Sequence, residues 1–222
     1  MLKSVLFDLD GVLIDTEAVY TDFWAAVDHR FPTEAPDFAH VIKGSTLPSI
    51  LNTYFPREQH PAIVEMLHEM ENGMQYTLFD GAADLLEALG AAGITTAIVT
   101  SSNRPKMDVV FDMLPLLRRC TTVLVTDEDV VNSKPDPQGY LVAAGRLGVT
   151  PHECVVVEDS VAGLRAAVAS GAAVAAVATT NPHNVIEPMA DIVGDTIADF
   201  TVDCFKSLVD SRQTMAKCVN KN

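Results

Sequence analysis

Cysteine is sparse in this 222-residue chain. Cys120, Cys154, Cys204 and Cys218 lie far apart and form no CxxC pair. That argues against a zinc site or a disulfide framework and for reduced thiols in a reducing compartment. Long apolar runs are missing too. A stretch such as Val155-Val156-Val157 ends in charge, and no run is long enough to cross a bilayer. Met1-Leu2-Lys3-Ser4-Val5 leads straight into acidic residues without the apolar h-region of a signal peptide. These features predict a cytoplasmic protein with no membrane partner. Basic residues are half as numerous as acidic ones, 15 against 30, for a net charge of −15. Nucleic acid would be repelled. A small anionic substrate is not excluded, because a divalent cation and one or two local Lys or Arg residues reverse the local field. An acidic chain that handles phosphate therefore calls for a metal. Internal repeats and low-complexity segments are also missing.

What is present is an ordinary globular composition, 48% hydrophobic and 20% charged, in enough chain for one domain or a domain with a small accessory. Five short apolar runs, Ser4–Phe7, Thr95–Val99, Thr122–Val125, Cys154–Val157 and Ala173–Val177, read as strands buried on both faces of a parallel sheet. Helical patterns lie between the later ones: Ala82–Ala92, Lys106–Leu117, Pro137–Leu147 and Ser160–Ser170. Three of the four stop at Gly93, Gly148 or Gly171, and glycine there is a helix stop signal. Alternating strands and helices predict an α/β fold, a doubly wound parallel sheet. Residues 16–79 break the rhythm with helical patterns at Glu17–His29, Leu47–Tyr54 and Pro61–Met74. They are expected to form a small helical cap over a core made of residues 1–15 and 80–222, although an elaborated crossover packed on the core also suits them. After Thr201 a final helix is expected, fraying toward Asn222.

Nearly every apolar run ends in residues that chemistry would want. The first ends Asp8-Leu9-Asp10-Gly11, the second Thr100-Ser101-Ser102-Asn103, and the fourth Glu158-Asp159-Ser160. Ligands of open parallel sheets bind outside the carboxyl ends of the strands, so these clusters should converge. Asp8 and Asp10 sit two apart and can project the same way, while Gly11 allows a sharp turn and close approach of an anion. Two carboxylates this close repel unless a cation neutralises them, and a hard, oxygen-seeking Mg²⁺ suits both them and phosphate. Glu158 and Asp159 can complete that metal site from another strand end, though Asp159 or Ser160 also suits a helix cap. Thr100 and Ser101 offer a hydroxyl and backbone N–H groups to phosphate oxygens. Lys134, stiffened by Pro135, can neutralise charge on nucleophile and phosphate together.

Taken together and in this order, Asp8-Leu9-Asp10-Gly11, Thr100-Ser101, Lys134-Pro135 and Glu158-Asp159 resemble the four motifs of the haloacid dehalogenase-like hydrolase superfamily. The run from Phe7 to Glu17 resembles its subgroup with a helical cap after the first motif, which includes β-phosphoglucomutases and sugar, polyol and glycolate phosphatases. The resemblance covers Ser4 to about Asp199. It implies a Rossmann-like core, and the following roles. Asp8 is the nucleophile that becomes an aspartyl-phosphate, and Asp10 the general acid and then base. Thr100, with donors near Ser101, holds the phosphoryl group, and Lys134 stabilises it. Asp8, the Asp10 carbonyl, Glu158 and Asp159 hold Mg²⁺. The presence of Asp10 speaks against a dehalogenase.

Specificity is then expected in the cap, where Lys43-Gly44-Ser45-Thr46 resembles the substrate-meeting loop of the subgroup, with Thr46 as its contact or as a helix N-cap. Asn103 and Arg104, beside Ser102, are candidates from the core side. No arginine occurs between Arg30 and Arg57 to grip a second phosphate, and Tyr20 stands where a mutase would carry histidine. The expected activity is hydrolysis of a small phosphorylated metabolite by a monomer. A phosphosugar mutase is the alternative enzyme. A receiver-like signalling module is the alternative of another class, against which stands the helical insertion after the first strand.

Overall fold

The computed structural model describes the backbone of residues 1–219 and side chains through residue 214. Six parallel strands form one sheet: β1 (Ser4–Phe7), β2 (Thr95–Val99), β3 (Val123–Val125), β4 (Cys154–Glu158), β5 (Ala173–Val177) and β6 (Ile192–Gly194). Their order is β3-β2-β1-β4-β5-β6, so β1 is central and the direction of winding reverses beside it. Five strands are expected from the sequence, and the sixth is a correction. β6 is three residues long and ends in glycine, too brief for a recognisable apolar run, and it exists through its pairing with β5.

The strands are apolar throughout because both faces are covered. Val5, Phe7, Ile98, Val155 and Val157 pack on one side against α5 (Ala82–Ala91), α6 (Arg104–Met113), α7 (Pro115–Cys120) and α11 (Val202–Val219). Leu6, Ala97, Val99, Val156 and Val174 pack on the other against α8 (Gln138–Leu147), α9 (Val161–Ser170) and α10 (His183–Ile186). The single helix expected over Lys106–Leu117 is two. Pro115 has no N–H to give and its ring crowds the preceding turn, so α6 ends and α7 begins around Leu114. The expected terminal helix runs to Val219, and its fraying toward Asn222 lies outside the described residues.

Between β1 and α5 the chain forms α1 (Glu17–Arg30), α2 (Phe38–Val41), α3 (Leu47–Tyr54) and α4 (His60–Asn72). α2, a single turn, carries too little periodicity to be expected from sequence. These helices bury an apolar cluster of their own, including Trp24, Phe38, Phe55, Ile63 and Leu67, separate from the two clusters flanking the sheet. Trp24 and Phe55 meet Phe38 edge-on at 5.9 and 5.5 Å between ring centroids, an arrangement that suits the aromatic quadrupole. The chain leaves and re-enters the sheet region side by side. Asp15 donates its N–H to Thr77 (3.1 Å) and Phe79 donates to Leu13 (3.0 Å). Among the described residues, no helix is long and apolar enough to cross a membrane.

Candidate active site

Strand register assembles the centre. Phe7 pairs with Val157 on one side and Ile98 on the other. The next residues, Asp8 and Glu158, therefore emerge together at the carboxyl edge, with Thr100 close by on β2. Lys134, from the loop before α8, donates to Asp8 Oδ1 (2.6 Å), Glu158 Oε1 (2.6 Å) and the Val99 carbonyl (3.2 Å), so all three of its N–H groups are used. Glu158 is fully buried and saturated. Its Oε1 also accepts from the Tyr140 hydroxyl (2.7 Å), and its Oε2 accepts from the N–H groups of Asp159 and Ser160 and from Ser160 Oγ (3.0–3.1 Å). Asp159 differs: Oδ2 accepts from Thr180, while Oδ1 is buried with no partner.

One carboxylate oxygen from each of Asp8, Glu158 and Asp159 can be chosen so that all lie within 4.8 Å of one another. Three carboxylates facing one ammonium leave two negative charges in a buried site. Burial, reinforced by Glu158 and Asp10, pushes Asp8 up to about 7 against the pull of Lys134. Burial and the charges of Glu158, Asp8 and Glu17 hold Asp159 far above the usual carboxylate range. Burial alone would raise Glu158 as well, but Lys134 together with the Tyr140 hydroxyl and the Ser160 N–H outweighs it and the net direction is down. The residues fit a divalent cation. A dication balances the charge, and Asp159 has an orphaned oxygen to give it, whereas the oxygens of Glu158 are committed to five donors. Gly11 closes this corner. Its φ is +80°, and a Cβ there would fall onto the Asp159 carboxylate, so glycine meets both demands.

The Asp10 carboxylate lies outside that cluster, and the contact expected of Asp10 with a metal is through its main-chain carbonyl. Oδ1 accepts from Thr16 Oγ1 (2.5 Å) and Lys106 Nζ (2.8 Å), and Oδ2 from Lys106 Nζ (2.8 Å) and Ser102 Oγ (3.1 Å). Burial would raise its pKa, but these donors, Lys106 foremost, bring it below the ordinary value. A cavity of about 130 Å³ opens beside Asp8 and Asp10. Ser101, Ser102 and Asn103 line it from the sheet side, and Tyr20, Trp24, Ile42, Lys43, Ile50 and Leu67 from the insertion. Ser101 Oγ donates to the Gly44 carbonyl (2.8 Å), joining the two. Thr100 Oγ1 accepts from the Ser102 N–H (3.0 Å), and Asn103 also caps α6.

Two expected substrate contacts take other partners. Thr46 does not line the cavity. It caps α3, accepting from the Ser49 N–H at 3.4 Å, the plainer of its two readings. Arg104 forks onto Asp129 (3.0 and 2.9 Å) away from the cavity, with its side chain 53% exposed. Sequence reasoning also missed residues. Lys106 and Tyr140 sit inside helical patterns that give no hint of a polar target. Thr179, Thr180 and Asn181 bond Gly11 and Asp159 from the loop after β5. That polar triplet follows an apolar run just as the other clusters do, so the strand-end rule could have found it.

A doubly wound sheet with a carboxylate, an ammonium and a candidate cation site gathered at the carboxyl edge of its central strands belongs to the α/β enzymes that bind ligands at a topological switch point. A family model of haloacid dehalogenase-like hydrolases matches residues 2–171, and the chain belongs to that family of enzymes. Hexitol phosphatase A of Escherichia coli (strain K12) is 33% identical over 180 residues, 79% of this chain and 82% of that protein. Phosphoglycolate phosphatase of Xylella fastidiosa (strain 9a5c) is 32% identical over 178 residues, 76% of this chain and 77% of that one. The crystal structure of beta-phosphoglucomutase from Clostridium difficile superposes with a TM-score of 0.78 over 96% of this chain and 100% of that one; at 21% identity this likeness speaks to the fold alone.

Proposed function

We propose that the chain is a magnesium-dependent phosphatase that hydrolyses a small phosphorylated metabolite, a sugar, polyol or carboxylate phosphate, through an aspartyl-phosphate on Asp8. The observation that carries this reading is the buried Asp8 carboxylate, with one oxygen on Lys134 and the unpartnered Asp159 oxygen beside it. Asp8 attacks phosphorus, forming a new O–P bond as the ester P–O bond breaks, and Asp10 gives the leaving oxygen its proton. In the second half Asp10 takes a proton from water, the water oxygen bonds phosphorus, and the Asp8–phosphate bond breaks. Lys134, with Thr100 and the backbone near Ser101, offsets charge on the transferring group. Asp8 and Asp159, with the Asp10 carbonyl and Glu158 in support, would hold Mg²⁺, which when bound neutralises nucleophile and phosphate charge.

Helices α1–α4 serve in this reading as a cap whose inner face recognises the rest of the substrate. Hydrolysis is favoured over a mutase by charge pairing in the cavity. Among the described lining residues, Lys43 is bound to Glu17 at 2.6 Å and Lys106 to Asp10, so neither ammonium is unpaired for a second phosphate. The phosphatase names of the two relatives point the same way. A monomer in the cytoplasm belongs to the same reading. It is tested by phosphate release from a panel of phosphorylated metabolites with Mg²⁺ or EDTA, using wild type and Asp8→Asn. Metal-dependent release that Asp8→Asn abolishes is expected. Isomerised sugar phosphate without free phosphate would make the protein a mutase, and near wild-type release by Asp8→Asn would end the aspartyl-phosphate mechanism.

A further inference from the structure

Lys106 is a buried cation to which the reaction above gives no part. Its side chain is 4% exposed, and a lysine so placed needs a partner that offsets its lost hydration. The partner is Asp10, whose two carboxylate oxygens both lie 2.8 Å from Nζ. Two further contacts hold the residue in place. Its own backbone N–H donates to Asn103 Oδ1 at 2.9 Å, pinning the first turn of α6. The Tyr20 ring lies 4.4 Å from Nζ on the insertion side, a cation–π contact. Tyr20 is itself held by its hydroxyl, which donates to Glu71 at 2.7 Å. Asp10, by contrast, stands in the turn after β1, and its other side-chain partners are the hydroxyls of Thr16 and Ser102. One ammonium spanning both oxygens orients the plane of the carboxyl group in a way that two rotatable hydroxyls do not.

We infer that Lys106 is a positioning residue for the acid–base group: it aims the Asp10 carboxyl at the leaving oxygen and acts on the reaction only through Asp10. The inference rests on the proposed role of Asp10. It also ties the insertion to the chemistry, since the Tyr20–Glu71 pair is part of what holds Lys106 in place.

Leaving-group dependence tests it. An alkoxide needs a proton as its P–O bond breaks, while p-nitrophenolate departs without one. A well-placed general acid is worth roughly 10²–10⁴-fold, and small misplacement of a catalytic group costs up to about 10²-fold. Lys106→Met keeps the unbranched stem as far as Cε and removes the ammonium. Its kcat on an alkyl monophosphate from the metabolite panel is expected to fall about 10–100-fold, with less than about a threefold change on p-nitrophenyl phosphate and KM nearly constant on both. Asp10→Asn, run in parallel, should show the same selectivity more strongly, and Lys106→Gln, which keeps one N–H₂ donor, should fall between wild type and Lys106→Met. If Lys106→Met does not fold, the same rate ratio in Lys106→Gln decides. Selective loss in both Asp10 and Lys106 variants supports the inference. Selective loss in Asp10→Asn alone, with Lys106 variants equally active or equally impaired on both substrates, overturns the inference and leaves the role of Asp10 standing. No selectivity in Asp10→Asn overturns the acid role and the inference with it.

Discussion

Glycine inside a helix normally weakens it, and Gly163→Ala should therefore stabilise α9 by about 1 kcal/mol through backbone entropy. The opposite is expected. Gly163 occupies the first turn of α9, where its N–H donates to the capping Ser160 Oγ at 3.0 Å. A Cβ at this position would fall into the carboxylate of Glu158, well inside van der Waals contact. Glu158 has nowhere to go: it is fully buried, and its two oxygens accept from Lys134, Tyr140, Ser160 and two backbone N–H groups. Either α9 shifts or Glu158 lets go of Lys134. Overpacking a core costs about 1–3 kcal/mol, and breaking a buried ion pair about 3–5 kcal/mol. Set against the helix gain, a shift of α9 leaves a net loss of up to about 2 kcal/mol and release of Lys134 one of about 2–4 kcal/mol, a fall of up to roughly 15 °C in Tm for a chain of this size. Gly145→Ala in α8 is the control, because a Cβ there meets nothing within 4 Å; it should gain roughly 0.5–1 kcal/mol. Urea unfolding of the two variants, with phosphate release measured on the same samples, tests the reasoning. A Gly163→Ala protein as stable and as active as wild type would refute it.

Two further outcomes are expected. Mg²⁺ binding to the native site should raise Tm, by the equivalent of about 2.7 kcal/mol at a hundredfold excess over Kd, and Asp159→Asn should remove most of that shift in a thermal melt with and without EDTA. An equal shift in Asp159→Asn would place the ion elsewhere. Asp127, with one buried carboxylate oxygen lacking a partner, is pushed up to about 7 by burial and by adjoining Glu128. A carboxyl raised in the folded state penalises folding only when ionised; the penalty is absent below about pH 4, grows toward pH 7 and is constant above. Asp127→Asn should then be about 1 kcal/mol more stable than wild type at pH 8, the half-exposed setting limiting the gain. Below pH 4 the two should match, and a gain that persists there in urea titrations would contradict this account.

The sequence by itself determined the layers of the fold and the chemical types at its edge. Runs such as Cys154–Val157, short, β-branched and ended by charge, read as strands covered on both faces, and the three polar clusters at such strand ends are brought to one edge of a parallel sheet. Asp8, Glu158 and Lys134 do meet there. Local pattern was also enough for Leu47–Tyr54, whose start carries a capping threonine and a proline.

Only the tertiary structure decided which partner each side chain takes. Thr46 has the same residue type whether it meets a substrate or caps a helix, and it caps α3. Arg104 has Asp129 within reach because β2 and β3 are neighbours in space, although their residues are far apart in sequence. Lys106 and Asp10 are separated by 96 positions. Nothing in a helical heptad announces that its lysine is buried against a carboxylate on another strand's turn. β6 likewise has too few residues to declare itself and is a strand because β5 offers it a ladder. Local sequence carries periodicity, propensity and residue chemistry, which act over a few residues. Ion pairing, desolvation and edge pairing act through space, and they are settled only when the chain has folded.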